Sequence, residues 1–249
     1  AIKKILPHLA EDEEFITMLI DEAQIIVNIE HANIAQVYDL GKLEGTYYIA
    51  MEFIHGVDLD AIIEKMEQQG RTVPLDHTAY ITSCICAGLH VAHSKTDENG
   101  EPLNVVHRDL SPHNVLIGYG GDVKIIDFGV AKASVKKART QAGVIKGKLL
   151  YMSPEQAKAK DLDGRAVLFA VGICMYKMLT GNLPFRGENE FQIYNNILEK
   201  EIPPPMEVNP DVPREMNRIV MKLLERDRQK RYQDGYAVKE DLDKVLRKI

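Results

Sequence analysis

The stretch VVHRDLSPHNVLI, residues 105–117, constrains this chain more than any other. Val105–Val106 and Val115–Ile117 read as short buried strands, and His107, Arg108 and Asp109 stand between them. Ionisable side chains in a tight connection between buried segments are costly unless they are paired or put to use. A fold that accepts this loop must therefore supply partners for it or a reaction that needs it.

Composition narrows the classes. The 249 residues are 45% hydrophobic and 27% charged, an ordinary globular balance for one or two domains. A net charge of −6 argues against nonspecific nucleic-acid binding, so no nucleic-acid partner is expected. The longest apolar block, AVLFAVGICMY at 166–176, falls short of the roughly 18–20 residues of a membrane helix and reads as a buried helix. No membrane contact is expected within this segment. Cys84, Cys86 and Cys174 lie in apolar, helix-like stretches and are odd in number, which suits buried reduced thiols and a cytoplasmic location. The chain opens at Ala1 without a basic signal region, and the expectation is a segment of a larger protein.

Periodicity gives the organisation. Residues 1–6 read as a strand, and an amphipathic helix follows at about 11–30, with Phe15, Met18, Leu19, Ile25, Ile26 and Ile29 on one face. Glu22 falls on that apolar face, where a carboxylate wants a buried cation. IAQVYDLG and TYYIAMEFI read as two strands joined by the turn KLEG. Beyond them helices are expected near 58–69, 76–94, 164–180, 188–200, 213–226 and 234–248. The composition shift at 53–57, softest at Gly56, suggests a division into 1–55 and 56–249. Residues 202–213, IPPPMEVNPDVP, form a connection that continues neither flanking helix. Residues 94–104, SKTDENGEPLN, read as a surface loop or hairpin turn.

Four motifs follow in order: HRDLSPHN at 107–114, IIDFG at 125–129, YMSPE at 151–155 and GNLPF at 181–185. Five residues separate Asp109 from Asn114, thirteen more lead to Asp127 and 28 more to Glu155. With these motifs at these spacings the chain resembles the eukaryotic-like (Hanks-type) serine/threonine protein kinases, especially the bacterial ones, over essentially its whole length. The resemblance implies an α+β, two-lobed protein kinase fold: a small antiparallel-sheet N-lobe, truncated here, and a large, mainly helical C-lobe. It implies transfer of the ATP γ-phosphoryl group to protein serine or threonine, with ATP and Mg²⁺ as cofactors. The rival reading is a pseudokinase, a catalytically impaired scaffold of the same fold.

The resemblance also implies roles. Asp109 would accept the proton of the substrate hydroxyl, and Asn114 and Asp127 would hold Mg²⁺. Lys3, in the AIK that resembles the end of the family's V-A-I-K strand, would hold the α- and β-phosphates and pair with Glu22. Lys4 competes for that role, but strand alternation points it the other way. MEFIHG resembles the hinge, with backbone groups of Glu52 to Ile54 on adenine and Met51 behind it. Glu155 and Arg231 would form a buried ion pair, although several arginines compete within RDRQKRYQD. Arg108 would receive a phosphorylated residue, Thr140 first and Ser134 second, and autophosphorylation within a dimer is expected.

Three features depart from the family pattern. The Gly-rich loop expected before Lys3 is missing from this segment. Ser111 stands where the family has a lysine, and Lys148 where it has a threonine, so the two groups read as exchanged, with Lys148 supplying the cation and Ser111 the hydroxyl beside Asp109. Val167 stands where the central helix carries an aspartate that accepts hydrogen bonds from the catalytic loop, which predicts a looser loop.

Overall fold

The computed structural model describes residues 1–5, 13–128, 147 and 149–248, and only the backbone of Glu14, Asp21 and Glu22. Thr140, Ser134 and Lys148, and the side chain of Glu22, lie outside the described set.

The chain forms two lobes. In the first, β1 (Ile2–Lys4), β2 (Val37–Leu43) and β3 (Thr46–Met51) make an antiparallel sheet in the order β1-β3-β2. The expected KLEG turn closes the β2–β3 hairpin at Glu44–Gly45. Helix α1 (Glu13–Val27) lays Phe15, Ile16 and Leu19 against Ile5 and Ile49 of the sheet side, a small core of its own. The helix stops earlier than its apolar pattern because the chain turns away to join the lobes. Asn33 and Ala35 exchange backbone bonds with Ile125, at 2.9 Å each, and Asn33 Nδ2 donates to the Val123 carbonyl at 3.0 Å.

The second lobe opens with β4 (Gly56–Asp58), which pairs with β5 (Val115–Gly118), itself paired with β6 (Val123–Ile125). Gly56, within the stretch where the division was expected, makes a close backbone contact with β5. A Cβ there would stand 2.1 Å from the Ile117 carbonyl oxygen. Helices α2 (Leu59–Gln68) and α3 (Leu75–His93) follow. After β6 come α4 (Pro154–Ala157), α5 (Gly164–Thr180), α6 (Glu190–Glu199), α7 (Pro205–Val208), α8 (Arg214–Leu223) and α9 (Gly235–Leu246). Asp58, Asp163 and Asp234 cap α2, α5 and α9 by accepting the backbone N–H of Ala61, Arg165 and Ala237. Helix α5 is buried on all sides, as its uniformly apolar sequence requires, and α3, α8 and α9 pack around it or one another.

Several expectations change. Val105 and Val106 are buried, yet they form no strand and have no ladder partner among the described residues. The proline-rich connection holds one helical turn, α7, because Pro205 is tolerated at a first helical position. Of the three free cysteines, Cys86 and Cys174 are buried but Cys84 is only half-buried, on the face of α3 toward Tyr80 and Lys239. Residues 94–104 form a hairpin-like turn, bridged from Thr96 to Pro102, in which Asp97 accepts the amides of Asn99 and Glu101. Among the described residues, no helix is long and apolar enough to cross a membrane.

Candidate active site

The HRD loop lies between the lobes. His107 is fully buried; its Nε2–H donates to the Ile126 carbonyl at 2.8 Å, and its ring meets Phe128 edge-on with centroids 4.7 Å apart. Burial drives its pKa down, so the ring is neutral and the carbonyl contact fixes the proton on Nε2. The costly charge foreseen at this position is thus removed rather than paired. His107 links the HRD loop to the segment carrying Asp127.

Asn114 ends a 3₁₀ turn, Pro112–Asn114. Its Nδ2 donates to the Asp109 carbonyl at 2.8 Å, its N–H to the Ser111 carbonyl at 3.0 Å, and its own carbonyl accepts Ile126 N–H at 3.0 Å. One residue therefore spans the two acidic positions. Its side-chain amide nitrogen is spent on Asp109, which leaves Oδ1 as the end able to take a cation. Asp127 sits at φ 62° and Arg108 at φ 29°, both in the left-handed region that ordinary residues rarely adopt. From the other lobe, Lys3 Nζ reaches to 2.7 Å from Asp127 Oδ2. Lys4 is exposed on the opposite side of the strand.

The MEFIHG segment runs off the end of β3. Glu52 N–H donates to the Gln36 carbonyl at 2.8 Å, and the Glu52 carboxylate is held by Lys124 Nζ at 2.8 Å and by Gln36 N–H at 3.1 Å. Partial burial opposes the charge on Glu52, but the Lys124 hydrogen bond, the Gln36 amide and the Lys124 charge together hold its pKa below the usual range. The Glu52 carbonyl and the Ile54 N–H have no hydrogen-bond partner among the described residues and can serve a planar base. Met51 lines an apolar cavity of about 30 Å³ with Leu19, Val37, Ile49 and Asp127.

Glu155 and Arg231 meet in a bidentate pair, at 2.7 Å and 3.2 Å, with both side chains buried. The guanidinium also lies over the Phe169 ring, 4.9 Å from its centroid, and donates to the Glu225 and Arg165 carbonyls. Val167 is buried beneath the catalytic loop and lines a cavity of about 370 Å³ with Val106, Arg108, Asp109 and Gln156. Ser111 is half-buried and opens the 3₁₀ turn without a side-chain cap.

The tertiary structure thus brings Lys3 onto Asp127 and ties Asn114 to the backbone of both Asp109 and Ile126. The exchange of Ser111 with Lys148, the pairing of Lys3 with Glu22 and the Arg108 phosphate site each depend on groups outside the described residues. Sequence reading missed Lys124, the partner of Glu52, and Gln156, which donates to the Arg108 carbonyl at 2.9 Å. Both contacts span tens of residues, and no local pattern marks them.

Comparison with known proteins gives the same assignment. The protein kinase domain family matches residues 1–242. The chain is 41% identical over 245 residues to the tyrosine-protein kinase MasK of Myxococcus xanthus, covering 98% of this chain and 38% of that protein. It is 33% identical over 242 residues to the serine/threonine-protein kinase PrkC of Bacillus subtilis, covering 97% of this chain and 36% of that protein. The chain therefore spans less than two-fifths of the length of these relatives. In fold it resembles the crystal structure of the Mycobacterium tuberculosis PknI kinase domain, with a TM-score of 0.72 and 21% identity over 98% of this chain and 84% of the other.

Proposed function

The chain belongs to the protein kinase domain family, and on that premise we propose that it transfers the γ-phosphoryl group of ATP to serine or threonine hydroxyls of a protein substrate. The observation that carries the reading is the convergence of Lys3 and Asp127, in contact at 2.7 Å, with Asn114, which holds the Asp109 carbonyl at 2.8 Å. Phosphoryl transfer asks a protein mainly to position groups and neutralise charge, and these are the groups it needs. Asp109 accepts the proton of the attacking hydroxyl and directs its oxygen toward phosphorus. The Glu52 carbonyl and the Ile54 N–H hold adenine, with Met51 behind it. Lys3 turns its charge from Asp127 to the α- and β-phosphates.

Asn114 Oδ1 and the Asp127 carboxylate would hold Mg²⁺, a hard cation that takes few protein oxygens and completes its shell with water and phosphate. When bound it neutralises charge on the phosphate oxygens. The free cysteines favour a reducing, cytoplasmic setting. Autophosphorylation between two copies, on Thr140 or Ser134, fits the place of Arg108 in the HRD loop.

Tyrosine as acceptor is the second reading, favoured by the name of the Myxococcus relative. Against it, HRDLSPHN lacks the alanine- and arginine-containing loop of tyrosine kinases. The impaired-scaffold reading draws on Val167. One experiment decides among them: incubation with Mg²⁺-ATP, phosphate incorporation by intact mass, phosphoamino-acid analysis, and Asp109→Asn as control. Phosphoserine or phosphothreonine on the parent alone supports the proposal. Phosphotyrosine supports the second reading, and absence of phosphate from the full-length protein supports the scaffold.

A further inference from the structure

We propose that Gln156 is a positioning residue for the reaction: its carboxamide fixes the peptide between Arg108 and Asp109 and so sets the aim of Asp109. The inference rests on the reading of Asp109 as catalytic base.

Gln156 closes a capping box at the start of α4. Its N–H donates to Ser153 Oγ at 3.3 Å, and its Oε1 accepts Ser153 N–H at 2.9 Å. With Oε1 committed to a donor, the other end of the amide must be the NH₂, and Nε2 donates to the Arg108 carbonyl at 2.9 Å. Flipping the amide would set oxygen against oxygen and nitrogen against N–H, so both contacts demand the same orientation.

The grip falls where the backbone needs one. Arg108 is held at φ 29°, a conformation that persists in an ordinary residue only when its surroundings enforce it. On the far side of Asp109, Asn114 Nδ2 holds the next carbonyl, that of Asp109, at 2.8 Å. Two carboxamides thus fix the two peptide planes that flank the Asp109 Cα, and with them the direction of its side chain. Gln156 is itself well rooted, since its neighbour Glu155 is locked to Arg231 in the buried pair. From below, Val167 offers the loop no hydrogen bond, although it lines the same cavity as Arg108, Asp109 and Gln156. The tie comes from the wall of that cavity built by the end of the activation segment.

The test uses the full-length protein and Gln156→Glu, which keeps the chain length and the acceptor for Ser153 but turns a carboxylate oxygen toward the Arg108 carbonyl. Displacing a reacting group by a fraction of an ångström lowers rate steeply, so kcat should fall about 10- to 100-fold with KM for ATP within about twofold of the parent. A protonated carboxyl can donate as the amide does. The ratio of parent to variant kcat should therefore narrow between about pH 8 and about pH 5.5, whereas for Gln156→Met it should not. Arg108, Asp109 and Lys160 line the same cavity in parent and variants alike, so the ratio isolates position 156. A Gln156→Glu protein with parental kcat, or one whose loss is the same at every pH, overturns the proposal. Amide hydrogen exchange over 107–110 separates this result from failure of the kinase reading. If the parent itself transfers no phosphate, faster exchange in Gln156→Glu still supports the tie, and equal exchange overturns it.

Discussion

Lys3 Nζ lies 2.7 Å from Asp127 Oδ2, an ion pair that joins the first strand of the small lobe to the segment just beyond β6. The pair is partly open to solvent, with side chains 38% and 26% exposed, so it contributes little to stability. Its significance is positional: under the proposed function the cation would meet phosphate and the carboxylate the metal ion.

Lys3→Met should therefore separate activity from folding. Phosphate transfer should fall on the order of 10²–10³-fold, the usual consequence of losing one preorganised charge donor. The melting temperature should move by no more than a few degrees. A variant with parental turnover would remove Lys3 from the site.

Arg231→Met should behave in the opposite way. It leaves the Glu155 carboxylate buried without its partner, a loss of about 3–5 kcal/mol. Urea unfolding should show it as a lower midpoint. The double variant Glu155→Leu/Arg231→Met should recover most of that stability, because no buried charge remains. If the single variant unfolds with the parent, the pair is not structural.

Stability should fall in mild acid through His93. Its Nε2 is shut off from solvent without a hydrogen-bond partner among the described residues. Burial, helped by the neighbouring His107 and His90, lowers its pKa from 6.5 to about 4. Between those values the unfolded chain binds the proton and the folded one does not. Stability is thus intact above about pH 6.5 and is lost as pH falls toward 4, by up to about 3 kcal/mol. His107 shifts in the same direction. Urea midpoints at about pH 7.5 and about pH 5 should differ in the parent and differ by less in His93→Leu, the remainder being due to His107; an undiminished difference would exclude His93.

Gly235→Ala should destabilise the large lobe. A Cβ at 235 would stand 2.4 Å from the Cys86 carbonyl oxygen, where α9 meets α3. Backbone cannot retreat as a flexible side chain can, so the helices must part, at about 1–3 kcal/mol. Thermal melting reads this directly, and an unchanged melt would mean the contact is loose.

Val167→Asp should raise the melting temperature. The site is buried under the catalytic loop, beside a cavity of about 370 Å³ that leaves room for the carboxylate. A carboxylate there is favourable only if loop amides donate to it. A lower melting temperature would show that the loop has no such donors to offer.

Much of this molecule was legible in one dimension because its signals are local. The amphipathic face of α1, the KLEG turn and the uniformly apolar α5 each follow from side-chain periodicity acting on a few neighbouring residues. The charged motifs between apolar runs singled out Asp109, Asn114 and Asp127 as candidates because ordered spacings survive without coordinates. Periodicity misled where a short element takes its partner from afar. Gly56 opens β4, and the close approach of its backbone to β5 has no mark in the neighbouring sequence. Val105 and Val106 looked like a strand, yet their burial comes from packing rather than from a ladder.

What the sequence by itself determined was the set of chemical groups and their order along the chain. Only the tertiary structure decided which of them meet. Lys3 faces Asp127 across 124 residues because β1 pairs with β3 and residues 33–35 pair with β6. Lys124 claims the Glu52 carboxylate, and Gln156 takes the Arg108 carbonyl, through the same long-range packing. The physical reason is that a hydrogen bond or ion pair depends on separations of about 3 Å in space, and separation along the chain leaves these undetermined.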